Sequence, residues 1–131
     1  YSYHYDDDNS SILEKIKKIN NLISNHEEEI ANPILKYLFE RKDFNLIGKK
    51  IITKKNRAPT ISFTSKIRTS KEISNILLEN KIATRNDNFY AWRCLKHLGI
   101  DTNDGVVRLS MTHYNNMDET NNVIKALDKI S

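Results

Sequence analysis

Hydrophobic positions along this chain recur in two rhythms, one helical and one of alternating strands. Ile12, Leu13, Ile16, Ile19, Leu22 and Ile23 recur at helical spacing. Ser10 or Ser11 is placed to cap that helix, and Glu14 stands three residues after Ser11, the spacing of a capping box. A second helix is predicted from about residue 25 to residue 41, with Ile30, Ile34, Leu35, Leu38 and Phe39 on one face. Pro33 interrupts it, which predicts a kink or a helix start near Asn32. Before these helices, Tyr1, Tyr3 and Tyr5 alternate as in a short extended segment.

From residue 44 the rhythm changes. Phe44, Leu46 and Ile47, ended by Gly48, predict a short strand, and Ile51 to Thr53 could continue it. Residues 59 to 64 form the clearest strand, with Ile61 and Phe63 on one face. Ser70 is expected to cap a helix running through Leu78, with Ile73, Ile76 and Leu77 inward. A short strand over residues 82 to 85 is followed by an Asn86-Asp87-Asn88 turn. A helix from Tyr90 to Leu98 ends at Gly99. Gly105 opens a β-rich run through Val106, Val107, Leu109, Met111 and Thr112. A last helix follows from about Asp118 to Ile130, with Asn115 or Asp118 as its cap.

Helices and strands that alternate after residue 44 predict an α/β (α+β) domain: a short, mostly antiparallel sheet covered by helices. Residues 1–43 read as an N-terminal extended segment and helices, and residues 44–131 as the α/β unit. A chain of 131 residues with 38% apolar and 29% charged residues can bury a real core beneath a polar surface. No run approaches a membrane span, and no signal peptide is visible, so a cytoplasmic location is expected. The single cysteine, Cys94, excludes an intramolecular disulfide and a CxxC metal site. The net charge of +4 comes from lysines scattered among acids, without an arginine cluster or an aromatic ladder. Nucleic acid is therefore not an expected partner. His4, His26, His97 and His113 are widely spaced, so no metal site is expected either.

Arg108 is the candidate that carries chemistry. It stands in a strand between apolar neighbours, where a buried guanidinium needs an anion or a carboxylate close by. Arg85 precedes the predicted turn and is the second candidate for the same cleft. His113 and Tyr114 fall at a strand end, where a structural turn accounts for them. Cys94, within a predicted helix beside Leu95 and Leu98, reads as a small core residue rather than a nucleophile.

The run from Gly105 to Asn115, Gly-Val-Val-Arg-Leu-Ser-Met-Thr-His-Tyr-Asn, resembles the C-terminal part of class V aminotransferase-type enzymes. Arg57 to Thr64 resembles the first strand of that family's small domain, and Lys81 to Arg85 the strand before its active-site loop. The ordered set, residues 57–130, is most similar to the cysteine desulfurase-like and selenocysteine lyase-like branch. His26-Glu27 stands where the family carries a His-Glu pair, although a helix start rich in acids explains it equally well.

The resemblance implies the small C-terminal domain of a fold type I pyridoxal-phosphate (PLP) enzyme acting on an amino acid. Arg108, and with it Arg85, would then bind the substrate carboxylate. Desulfurases carry a nucleophilic cysteine after the Arg85 position, and that place holds Tyr90 here. The resemblance thus fits a lyase, transaminase or epimerase-like reaction as well as sulfur transfer. The family's covalent cofactor lysine, its pyridine-nitrogen acid and its phosphate cradle lie in a large domain upstream. This stretch is accordingly expected to hold no cofactor-binding or catalytic residue and to be inactive alone. Its expected partners are that large domain, an amino-acid substrate and, in the parent enzyme, a second copy. A stand-alone α/β module that binds a protein or a nucleic acid is the other reading of the same residues.

Overall fold

The computed structural model describes residues 9–130, so the tyrosine-rich start and His4 lie outside the described residues. Helix α1 runs from Ile12 to Glu40 as one element of 29 residues. Ser11 is its N-cap, in a capping box with Glu14. The two helices expected here are therefore a single helix, with Pro33 inside it. Ile16, Ile23 and Ile30 are seven residues apart, two helical turns each, so the polar stretch between Ile23 and Ile30 never leaves the helical phase. Proline removes only one backbone donor, and Ile30, Ala31, Ile34, Leu35 and Leu38 are all buried around it. Packing on both sides of Pro33 holds the helix through the missing bond.

Strands β1 (Phe44–Ile47), β2 (Thr60–Ser65), β3 (Arg85–Asp87) and β4 (Val106–Ser110) form one antiparallel sheet in the order β1-β2-β4-β3. Helices α2 (Ser70–Glu79), α3 (Trp92–His97) and α4 (Met117–Asp128) complete the fold. Ile61 and Phe63 of β2 and Val107 and Leu109 of β4 point to one face and are buried. Leu35 and Leu38 of α1, Ile73 and Leu77 of α2, and Val123 and Leu127 of α4 join them in a single apolar cluster. The Phe44 and Phe63 rings meet edge to face with centroids 5.6 Å apart, a favoured aromatic geometry. Thr120, buried in this layer, donates its hydroxyl to the Ile30 carbonyl at 2.9 Å and ties α4 to α1.

Several local expectations shift. Residues 51–53 form no strand. Ile52 is buried, and its backbone N–H and C=O are both held by the Asn32 side chain at 2.9 and 3.1 Å. An amide on α1 thus satisfies the two groups that a neighbouring strand would have paired. Thr69, not Ser70, caps α2, because Thr69 forms the capping box with Glu72 while the Ser70 N–H donates to Asp104 at 2.8 Å. Asn116 caps α4, because the side-chain amide oxygen of Asn115 already accepts from the Thr112 N–H at 2.8 Å.

The predicted strand over 82–85 moves by three residues: β3 starts at Arg85, and Asn86 and Asp87 belong to the ladder rather than to a turn. The cause lies upstream. Lys81 takes the left-handed conformation (φ 63°), and the Lys81 and Ile82 N–H groups return to the Leu78 and Leu77 carbonyls. That Schellman closure of α2 occupies Ile82 and delays pairing. The helix expected from Tyr90 begins at Trp92, since Phe89 and Tyr90 both have positive φ, 51° and 58°.

Candidate functional site

Side chains alternate across the sheet, so Arg108 points away from the face on which Val107 and Leu109 are buried. Its cross-strand neighbours are Ser62 on β2 and Arg85 on β3. The two candidate arginines are therefore brought directly opposite one another on the sheet face away from the main core. Like charges directly opposite in a ladder repel. Among the described residues neither arginine forms a salt bridge.

Arg108 is half-buried, and its Nε is buried without a hydrogen-bond partner. Among the described residues no carboxylate reaches salt-bridge distance of it, although Asp87 stands diagonally across on the same face. A ring stands there instead: the Arg108 guanidinium carbon lies 4.2 Å from the centre of the Phe89 ring. At that distance the cation meets the negative face of the π system. Arg85 is exposed. The arrangement is a pair of unneutralised guanidinium groups, one of them stacked and partly desolvated, which suits a planar anion gripped by parallel donors.

The loop that carries Phe89 is tightly held. The Tyr90 N–H donates to the Asn88 side chain at 3.0 Å, and the Ala91 N–H to the Asn88 carbonyl at 2.8 Å. The Asn88 amide donates in turn to the Thr102 carbonyl at 3.3 Å. Gly105 (φ 71°) leaves room for this approach, since a β-carbon there would overlap the Asp87 carbonyl and stand 2.7 Å from the Asn88 nitrogen. Tyr90 follows Phe89 with its ring almost wholly in solvent, 97% exposed. Phe89 was not legible as a site residue: neither its left-handed backbone nor its contact with a residue 19 positions later has a local signal.

Cys94 is exposed, which corrects its reading as a core residue. Helix α3 has six residues and buries only Leu95, so the adjacent position turns outward. His113 and Tyr114 are exposed in the turn after β4, their rings edge to face at 5.5 Å. His26 is tied to the same turn, its Nε2 lying 2.7 Å from the Asn115 carbonyl. A groove of about 860 Å³ between α1 and Lys50-Ile51, and another of about 600 Å³ beside Lys81 to Ala83 and Ser110 to Thr112, include neither arginine. Among the described residues there is no cluster of His, Cys, Asp and Glu that could hold a metal ion. No helix among them is long and apolar enough to cross a membrane.

A small four-stranded antiparallel sheet with helices against one face is the architecture of a domain from fold type I PLP enzymes. Two solved structures share it. Apo cysteine desulfurase from Thermococcus onnurineus matches with a TM-score of 0.73 at 23% identity, over 84% of this chain and 26% of that one. The cysteine desulfurase CsdA from Escherichia coli matches with a TM-score of 0.67 at 20% identity, over 81% and 24%. A family model described as aminotransferase class-V matches residues 11–123, and the chain belongs to that family. Aminotransferase-like protein FGM3 of Gibberella zeae is 28% identical over 109 residues, which are 82% of this chain. The chain spans 27% of the length of that relative.

Enzymes of this family use PLP. The donors around Arg108 do not form a site for it. On the same sheet face stand Asn45, Ile47, Thr60, Ser62, Thr64, Arg85, Asp87, Val106 and Ser110, and no lysine is among them. No lysine is buried among the described residues. The covalent attachment that the cofactor needs is therefore not offered by this face.

Proposed function

We propose that this chain is the small C-terminal domain of a PLP-dependent class V aminotransferase-type enzyme acting on an amino acid. Arg108 binds the α-carboxylate of that amino acid, and Arg85 adds positive potential beside it. The observation that carries the reading is the Arg108 guanidinium: half-buried, stacked on Phe89, opposite a second arginine, with its Nε unpartnered and no salt bridge among the described residues. Burying such a group without an acid is unfavourable unless a ligand supplies the negative charge. The cofactor and the proton-transfer groups belong to a larger partner domain of the same polypeptide. The role of this chain is to hold and orient the substrate's carboxylate.

The first half of α1 supports the reading. Ile12, Leu13 and Ile16 are 70%, 66% and 49% exposed, an apolar stripe that a larger domain would cover. Tyr90 at the loop position of the desulfurase cysteine favours a lyase, transaminase or epimerase-like reaction over sulfur transfer.

The test is to express the whole reading frame, supply PLP, reduce with borohydride and map the pyridoxyl adduct by mass spectrometry, with this chain in parallel. One specific lysine adduct outside residues 1–131 is the expected result. Arg108→Ala should then weaken amino-acid binding by about 10-fold to 150-fold, the range for a charge-assisted bond, with cofactor content unchanged. No specific adduct in either protein overturns the proposal in favour of a binding module.

A further inference from the structure

We infer that Phe89 is a positioning residue that aims the Arg108 fork at its carboxylate, with the left-handed Phe89-Tyr90 loop as the device that holds the ring in place. The inference rests on the reading of Arg108 given above and goes beyond it by naming what fixes the arginine.

An arginine side chain has several rotatable bonds, and a free one loses rotamer entropy when it grips a ligand. The structure shows how that cost is met in advance. The Phe89 ring covers one face of the guanidinium at 4.2 Å. The Arg108 Nε is buried and unpartnered, so this edge of the group is closed to water. The bidentate pair of donors that remains for a carboxylate is the one formed by the two terminal nitrogens. Phe89 is held on its side by a backbone that phenylalanine does not favour, φ 51°, followed by Tyr90 at 58°. Two consecutive non-glycine residues in this region cost about 1 to 2 kcal/mol each. Asn88 meets that cost with its bonds to Tyr90, Ala91 and Thr102, and Gly105 meets it by leaving space. The one ring that the loop places over a charged group is Phe89, while Tyr90 remains in solvent.

The experiment compares L-alanine with L-alaninamide as ligands of the cofactor-loaded full-length protein, with dissociation constants read from the cofactor's absorbance. The ratio of the two constants reports the carboxylate grip and is insensitive to a general loss of active protein. Phe89→Leu, which keeps an apolar cover but removes the π face, should reduce the preference for the carboxylate by about threefold to thirtyfold. Phe89→Tyr should restore it, and Arg108→Ala should abolish it. If Arg108→Ala abolishes the preference and Phe89→Leu leaves it intact, the positioning role is wrong and the carboxylate site stands. If the unaltered protein has no preference, or Arg108→Ala does not change it, the site reading fails and this inference falls with it.

Discussion

Gly105 and Asp87 approach so closely that a β-carbon on Gly105 would overlap the Asp87 carbonyl, and Gly105 has φ 71°. The contact joins the start of β4 to the end of β3 and sets the level at which the Phe89 loop leaves the sheet. Gly105→Ala introduces both a backbone clash and left-handed strain. It should destabilise the chain by about 2 to 4 kcal/mol, measured by urea unfolding. A loss within experimental error would mean that the loop is free to move away.

Lys81 offers the opposite case. It closes the Schellman turn of α2 at φ 63° with no role for its side chain in the core. Lys81→Gly removes the β-carbon penalty at a position where glycine is favoured. Thermal melting should show a gain of about 0.5 to 1 kcal/mol.

Arg108 is held at a cost to the fold. Arg108→Met keeps an unbranched apolar stem in the same place, while it deletes the guanidinium with its buried unpartnered Nε, its stacking on Phe89 and the repulsion from Arg85. The variant should be as stable as the parent or more stable by about 1 kcal/mol in denaturant titration. A clear loss of stability would show that the arginine is structural, contrary to its proposed role.

Two capping-box carboxylates give the fold an acid-sensitive component. Glu72 is held below the usual carboxylate range by the Thr69 backbone N–H and hydroxyl. Glu119 is held below it by the Asn115 amide and the Asn116 N–H. Groups whose folded pKa is depressed stabilise fully above the unfolded value and lose that contribution as pH falls through the folded one. Stability should therefore decline below about pH 4.5, and Glu72→Gln with Glu119→Gln should flatten that decline. Melting temperatures recorded from neutral pH to about pH 3 give the comparison.

Local sequence determined a good deal about this protein. Ser11 with Glu14 announced the start of α1, and the alternation at Ile61 and Phe63 announced β2. The strand around Arg108, and the helix after it, were legible for the same reason: period and capping are properties of neighbouring residues. The family resemblance was carried by Gly105 to Asn115, which now forms β4 and the turn into α4. Tertiary structure alone decided the rest. It ran α1 through Pro33, because burial on both sides outweighs one missing donor. It left Ile52 outside any strand, because the Asn32 side chain on a distant helix took its two backbone bonds. It exposed Cys94 and set Phe89 over Arg108. Each of these outcomes depends on a partner many residues away, whose free-energy contribution exists only once the chain has folded around it.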